Sequence, residues 1–294
     1  MKFEEFSAND LVYLPEIEPP TWGSLAPRFQ KFIQAEHCFP VKLTEGNRII
    51  GIGTTICHED SAWLACIIVH PEFRNKGLGK LITDYLVDSL DKNQFRTIYL
   101  IATDLGFPVY TKLGFEVEAE YFHLKIEELT AESSLSTEII SYREEFKDQM
   151  LNLDRAITGE FRFNSLREHI KTSLLFLEDG TVEGYYLPSL GEGHILARTS
   201  AAGTALLKAR LQNSKLAIFP RTNQIALDLV NSLGFFTMQL HGEWYWVKEE
   251  NCLLKIITIA LVDIWVKTNL MAALSIWKRS KTRLSFQRIF ERIK

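Results

Sequence analysis

The chain has 294 residues, of which 46% are hydrophobic and 12% aromatic. This apolar content suffices for a sizeable core and excludes a disordered chain, and the length favours two domains over one. The formal net charge is −4, but residues 251–294 carry nine Lys/Arg and two Asp/Glu, so residues 1–250 carry −11. The negative charge of residues 1–250 argues against nucleic acid as the main partner.

The cysteines and the N-terminus bear on metal binding and compartment. The four cysteines, Cys38, Cys57, Cys66 and Cys252, have neither metal-ligand nor CxxC spacing, so we expect no metal and a reduced, cytoplasmic protein. The first ten residues include acidic side chains and lack an apolar run, which is not the pattern of a secretory signal.

The first half of the chain reads as alternating strands and helices. Apolar side chains at helical spacing predict a helix from Leu78 to Leu90, and Gly114 is a typical residue to close a second, shorter helix. In chain order, the predicted elements are strands at 39–43, 49–53 and 62–69, the helix after residue 77, a strand at 97–102, a short helix at 109–113 and a strand at 115–124. This order indicates an α/β fold.

A short polar loop, Arg74–Gly79, joins the strand at 62–69 to the first helix. Its glycines permit a close approach of the backbone to a ligand, and the free amides at a helix N-terminus favour an anion. Arg74, Lys76 and Lys80 add positive charge, so the combination suits a pyrophosphate. The loop is neither a Walker A loop nor a dinucleotide fingerprint, because Leu81 and Ile82 stand where those motifs need Ser/Thr and Gly. The alternative is an ordinary strand-to-helix turn.

Two segments carry a resemblance to a known family. The segment Val69–Gly79 resembles the V-x-P-x-x-R/Q-x-x-G-x-G motif of GNAT (GCN5-related) N-acetyltransferases, and Tyr110–Phe115 resembles their Y-x-K-x-G-F block. The resemblance extends over about residues 3–125. It implies a first domain at 1–127 with the GNAT fold, which is an α/β fold with a mixed, centrally splayed sheet flanked by helices.

The resemblance also implies a cosubstrate and a set of residues. Acetyl-CoA is expected to lie with its pyrophosphate on the loop and its pantetheine arm along the splayed strand, and no metal is expected. The implied binding residues are Ile67, Val69, Arg74, Asn75, Lys76, Gly77, Leu78, Gly79, Lys80 and Thr103. Thr103 follows the strand after which many family members have an asparagine. Tyr110 matches the family's usual proton donor to the leaving thiolate, and the alternative for Tyr110 is a packed core tyrosine.

Neither the general base nor the acceptor amine follows from the sequence. A water chain would also serve as the base, and no single residue is favoured. The candidate residues are His58, Glu59, Asp60, His70, Glu120 and His123.

The second half, residues 137–247, reads as another α/β domain. Leu227–Phe235 echoes Pro108–Phe115, because both segments end in Leu-Gly-Phe, which suggests an internal duplication. With Leu153–Glu160, this segment resembles the C-terminal GNAT-like domain of tandem bacterial acetyltransferases. The loop Arg198–Gly203 has Ala201 in place of the first glycine, and Val230 stands where Tyr110 stands in the first half. We therefore expect a degenerate domain.

The role of this second domain is left open by the sequence. It is either a wall of the substrate site, to which Asp154 and Arg155 would contribute charge, or a structural partner of the first domain.

The tail at 251–294 is basic and amphipathic, and it is predicted to be helical. It has no apolar run long enough to span a membrane. We expect it to pack on the body or on another subunit of a homo-oligomer, and the alternative is an interfacial helix on anionic lipid. For the whole chain the sequence predicts an N-acetyltransferase that uses acetyl-CoA and an amine acceptor. The alternative is a non-catalytic coenzyme A-binding regulatory or scaffold module, which could be bound to a membrane surface through the tail.

Overall fold

The computed structural model describes residues 1–20, 22–102, 105–117, 119–125, 135–191, 193–234 and 263–264. The chain divides into two compact units, of which the first is Met1–Glu116 and the second begins at Val117. Apart from residues 263–264, the tail predicted at 251–294 lies outside the described residues. Among the helices that are described, none combines the length and apolarity needed to cross a membrane.

The first unit is one mixed sheet with helices on both faces. Its strands are β1 (Lys2–Glu5), β2 (Cys38–Glu45), β3 (Arg48–Cys57), β4 (Ser61–Val69) and β5 (Thr97–Leu100), and its helices are α1 (Leu14–Ile17), α2 (Ala26–Gln34), α3 (Leu78–Asp88) and α4 (Phe107–Lys112). The strands lie in sequence order, and the neighbours are antiparallel except for β4 and β5, which are parallel. The strands and helices predicted between residues 39 and 113 are confirmed, whereas β1, α1 and α2 were not predicted.

Helix α3 packs closely on β3 and β4 because β3 carries two glycines at the contact. A Cβ atom at Gly51 would lie 2.5 Å from Ile82 Cδ1, and one at Gly53 would lie 2.9 Å from Leu86 Cδ1. The missing side chains let the apolar stripe of α3 reach the sheet, which fixes the position of the helix N-terminus. Elsewhere in the first unit, α2 contributes Phe29 to an aromatic cluster with Phe6.

The second unit contains the remaining elements. Its strands are β6 (Tyr121–Lys125), β7 (Ile139–Ser141), β8 (Leu174–Glu178), β9 (Thr181–Leu187), β10 (His194–Ala197), β11 (Leu216–Pro220) and β12 (Asp263–Ile264), and its helices are α5 (Lys147–Thr158), α6 (Phe163–Leu166), α7 (Ser200–Leu211) and α8 (Gln224–Ser232). One sheet has the order β12-β10-β9-β8-β7, and β6 pairs separately with β11. The strand predicted at 115–124 is thus observed at β6, with its partner in the second half of the chain.

The predicted domain boundary at residue 127 falls among the residues that are not described, and it stays a prediction. The contacts of the described chain already group residue 117 onward with the second unit.

The order of elements repeats along the chain, as the echo of Leu-Gly-Phe suggested. Helices α1–α2 and α3 of the first unit correspond in order to α5–α6 and α7 of the second, and strands β1–β5 correspond to β7–β11. Gly114 and Gly234 each follow the last helix of a set in the left-handed conformation, with φ of 85° and 79°. The second half therefore repeats the order of elements of the first.

Candidate functional site

The loop before α3 leaves the N-terminus of this helix without a side-chain cap. Gly77 is the N-cap residue of α3 in the left-handed conformation (φ 78°, ψ 3°), and no side chain caps the helix there. Asn75 is also left-handed, with φ of 61°, so two such residues flank Lys76. Turns of this kind can point successive amides to one side and form an anion-binding concavity. A Cβ atom at Gly77 would meet nothing within 4 Å, which leaves room for a ligand.

Three cationic side chains surround the loop, and all three are exposed. The guanidinium Nε of Arg74 donates to the carbonyl oxygen of Val69 at 3.2 Å, which ties the start of the loop to the end of β4. The Nζ atom of Lys76 lies 4.8 Å from the ring centroid of Phe73. Lys80, on the first turn of α3, forms an ion pair with Asp84. The loop therefore combines exposed amides with positive charge, as a pyrophosphate requires.

The sheet opens beside this loop. Strand β5 pairs with β4 only along Ser61–Leu64, so the last five residues of β4 extend beyond that pairing. On its other side β4 carries an irregularity, since Thr54 faces Ala65 and Ile52 faces Ile68. Cys66, within this β-bulge, has a φ of 53°. A bulge re-aims the backbone locally, and it lies in the part of β4 that extends beyond the β5 register.

The structure brings most of the predicted cosubstrate residues together at this end of β4. Ile67 and Val69 are half-buried on β4 and pack against the core of the first unit, so their contribution to a ligand would come from the backbone. Leu78 is buried and anchors the first turn of α3. Gly79 accepts a hydrogen bond from the hydroxyl of Thr83 at 2.8 Å. Of the remaining predicted residues, Arg74 to Gly77 and Lys80 lie in or next to the loop, whereas Thr103 lies outside the described residues.

Tyr110 lies on α4, which packs against α3, and its side chain is 7% exposed. Its ring contacts Gly106 so closely that a Cβ atom there would lie 2.7 Å from the Cε2 atom of the tyrosine. The ring also makes an edge contact with Phe115, at 6.1 Å between centroids. Tyr110 is therefore both packed and fixed in orientation, and the role of its hydroxyl stays a prediction.

The sequence did not identify Arg48 as part of this region. The first residue of β3, Arg48 forms an ion pair with Glu72 at 2.6 Å. It also lies 3.0 Å from His70 Nε2 and 5.4 Å from the ring centroid of Phe73. The hydrogen bond from Arg48 is the main cause that lowers the pKa of the Glu72 carboxyl. No local pattern could indicate this contact, because Arg48 and Glu72 are 24 positions apart.

The candidate bases differ in their positions and partners. Glu59 and Asp60 lie in the β3–β4 turn, at the opposite end of β4 from the loop, which is roughly 26 Å for a strand of this length. The side chain of His70 accepts from the amide of Glu72 at 3.2 Å and so caps a short 3-10 turn. Glu120 pairs with Arg221 at 2.6 Å within the second unit.

The two remaining candidate bases are His58 and His123. His58 is buried, and the side chain of His123 lies outside what the structure describes. No candidate base is favoured by this geometry.

The corresponding loop of the second unit differs in its local chemistry. Thr199 is the N-cap residue of α7, and its hydroxyl accepts from the amide of Ala202 at 3.2 Å. Arg198 forms an ion pair with Glu183 at 2.9 Å. The amide of Ala202 is thus already engaged by the cap, and no lysine stands between residues 198 and 204 to match Lys76 and Lys80. Val230, the counterpart of Tyr110, is fully buried on α8.

Asp154 of α5 belongs to a buried polar network and does not line an exposed surface. Asp154 is 2% exposed and receives two hydrogen bonds from Arg162, at 2.5 and 3.2 Å, and a third from the hydroxyl of Tyr185. Burial is the largest cause that raises the pKa of Tyr185, and the Asp154 charge adds to it. Arg155 is exposed and lies 5.6 Å from the ring of Phe161. Asp154 therefore stabilises the interior and offers no charge at the surface.

Comparisons with known proteins agree with this geometry. Residues 20–124 match the family model of the acetyltransferase (GNAT) domain. A [Ribosomal protein bS18]-alanine N-acetyltransferase of Salmonella typhimurium is 31% identical over 85 residues, which are 28% of this chain and 57% of that protein. The Escherichia coli protein of the same description is 28% identical over the same shares of both chains. The chain therefore spans somewhat more than half the length of the curated relatives it matches.

Two solved structures resemble the chain over both halves. A putative acetyltransferase from Pyrococcus horikoshii superposes with a TM-score of 0.66 at 17% identity, over 80% of this chain and 85% of its own. A tandem GNAT protein from the clavulanic acid biosynthesis pathway gives a TM-score of 0.52 at 14% identity, over 80% and 94% of the two chains. At these identities the likeness concerns the fold.

Proposed function

We propose that the chain transfers the acetyl group of acetyl-CoA to an amine. Residues 20–124 match the GNAT acetyltransferase domain, and both halves resemble solved acetyltransferase and tandem GNAT structures in fold. The first unit is the proposed site of this reaction. The second unit is proposed to be catalytically inactive, because its loop is capped by Thr199 and its tyrosine position is Val230.

The observation that carries the proposal is the uncapped N-terminus of α3, with open space at Gly77, at the end of β4. Gly77 leaves unoccupied space where a phosphate would meet the amides, and Lys76 and Lys80 supply charge-assisted contacts. The edge of β4 beyond Leu64 offers backbone groups to the amides of a pantetheine arm. These residues support the proposal for the pyrophosphate and the pantetheine arm of an acyl-CoA.

The chemistry follows from what these groups can do. The acceptor nitrogen attacks the thioester carbonyl carbon, the carbon–sulfur bond breaks, and the sulfur leaves as a thiolate. Holding the amine and the thioester together supplies much of the rate, and amides at the bulge of β4 are suited to stabilise charge on the carbonyl oxygen. Tyr110 is the proposed donor of a proton to the thiolate, since the phenol of an ordinary tyrosine has a pKa of about 10. Water is the proposed acceptor of the proton that the amine loses.

The acceptor class is the least determined part of the proposal. The curated relatives act on the alanine of a ribosomal protein, so peptides with a free N-terminal amine are the first acceptors to test. Small amines and lysine-containing peptides complete the panel.

The test measures free thiol released from acetyl-CoA and identifies the acetylated product by mass spectrometry. We expect amine-dependent thiol release with the mass of one acetyl group on the acceptor. Tight binding of acetyl-CoA without product, across the whole panel, would favour the non-catalytic coenzyme A-binding module instead.

A further inference from the structure

One arginine from outside the loop contacts three of the four residues that precede it. The guanidinium of Arg48 bonds to the Glu72 carboxylate at 2.6 Å, lies 3.0 Å from His70 Nε2 and faces the ring of Phe73 at 5.4 Å. A planar guanidinium can bind a carboxylate and stack on an aromatic ring at once, which an ammonium cannot do. Arg48 therefore ties β3 to the turn at 70–73.

This turn is mechanically connected to the phosphate loop. Phe73 packs against the core of the first unit, and Lys76 lies over the same ring at 4.8 Å from its centroid. A displacement of Phe73 would carry Lys76 and the backbone of 74–77 with it. The contacts of Arg48 thus reach the loop through Phe73 as well as through the turn.

Global stability does not account for this arrangement. The side chain of Arg48 is 44% exposed and that of Glu72 is 64% exposed. Ion pairs at such exposure contribute little to the free energy of unfolding. Their effect is local, because three contacts converge on one short turn.

We propose that Arg48 is a positioning residue of the cosubstrate site, which holds the turn at 70–73 and thereby preorganises the loop amides for the pyrophosphate. This inference rests on the proposed function. In this proposal Arg48 acts through the protein, because its guanidinium is bonded to Glu72 and lies against the side chains of His70 and Phe73. A fixed loop binds more tightly than a mobile one because less ordering is needed on binding.

The sign of the effect of Glu72→Gln separates positioning from direct contact. If Arg48 bound phosphate itself, removing the Glu72 charge would free the guanidinium and strengthen binding of acetyl-CoA. If Arg48 positions the turn, the same change removes the ion pair that holds the turn and weakens binding of acetyl-CoA. Salt of about 0.2 M suppresses the long-range charge effect that would otherwise obscure this comparison.

The experiment measures the Kd of acetyl-CoA by calorimetry with the full chain. Arg48→Met should raise the Kd about tenfold and Arg48→Lys less, and Glu72→Gln should raise it about threefold with little added effect in the Arg48→Met background. The kcat at saturating acetyl-CoA should stay within about twofold, because the chemistry is not touched. Arg96→Met removes an exposed charge next to β5, at the far end of β4, and should leave the Kd unchanged.

Hydrogen exchange of the ligand-free protein gives an independent readout. The amides of residues 72–78 should exchange faster in Arg48→Met than in the wild type, and they should not in Arg96→Met. If Arg48→Met fails to fold, Arg48→Lys carries the same comparison.

Three outcomes contradict the proposals in different ways. A wild-type protein that does not bind acetyl-CoA overturns the proposed function. If the amides of residues 72–78 also exchange at the same rate in Arg48→Met as in the wild type, the positioning role of Arg48 is overturned too. Wild-type binding with an unchanged Kd in Arg48→Met overturns the positioning role alone. Tighter binding by Glu72→Gln shows direct phosphate contact and also overturns it.

Discussion

Replacing Gly77 tests the phosphate loop at the point where the structure leaves it open. Gly77→Asp and Gly77→Ala both introduce a Cβ atom at a φ of 78°, a conformation that costs an ordinary residue roughly 1–2 kcal/mol. Neither Cβ atom meets a neighbour within 4 Å. The two variants therefore share the same backbone strain, and they differ in the carboxylate alone.

The carboxylate should weaken binding by an amount that can be worked out. At about 5 Å in bulk water, two unit charges of like sign repel by about 0.8 kcal/mol, and the two charges of a pyrophosphate by about 1.7 kcal/mol. A tenfold change in Kd corresponds to about 1.4 kcal/mol. We therefore expect Gly77→Asp to bind acetyl-CoA at least tenfold more weakly than Gly77→Ala.

Calorimetry with acetyl-CoA measures this ratio, and circular dichroism checks that both variants are folded. Since the difference is electrostatic, the ratio should fall as salt rises from about 0.05 M to about 1 M, where the screening length is about 3 Å. Equal Kd values for the two variants at low salt, with both folded, would remove the assignment of the pyrophosphate to this loop.

Three further predictions concern catalysis and stability. Tyr110→Phe should lower kcat by about 10²-fold with nearly unchanged cosubstrate affinity, because only a proton donor is lost; full turnover under conditions where chemistry is rate-limiting would leave Tyr110 as a core residue. Gly106→Ala should lower kcat by at least about tenfold, since its Cβ atom would lie 2.7 Å from the Tyr110 ring and displace it; an unchanged kcat would contradict the role of that ring. Arg162→Met should destabilise the second unit by about 3–5 kcal/mol, because Asp154 would keep a buried charge without its cation. Urea unfolding measures this loss, the exposed Arg155→Met is the control, and equal stability of the two would refute the argument.

The part of the site that is continuous in sequence could be predicted. Strand, loop and helix follow one another from β4 to α3, and each has a local signature in apolar spacing or in glycine and charge content. Gly77 was identified from the motif, and its left-handed conformation explains the need for glycine there. Tyr110 was placed correctly on a short helix closed by Gly114.

Features that depend on pairing between distant segments could not be predicted. The left-handed Cys66 arises from the register between β3 and β4, which no single strand encodes. Arg48 meets its partner across 24 positions. Strand β6 follows the first unit in sequence but pairs with β11. Asp154 was considered as surface charge because its pairing with Arg162 and Tyr185 depends on burial that the sequence does not display.

The most direct test is the stoichiometry of acetyl-CoA binding to the full chain. The loop at Gly77 is uncapped and flanked by Lys76 and Lys80, whereas its counterpart is capped by Thr199 and has no lysine between residues 198 and 204. Several charge-assisted contacts are absent there, so the second site should be weaker by about 2–4 kcal/mol. Titration should give one acetyl-CoA per chain, and Gly77→Asp should weaken that one site. Two molecules bound per chain, or binding that Gly77→Asp leaves intact, would contradict a single cosubstrate site in the first unit.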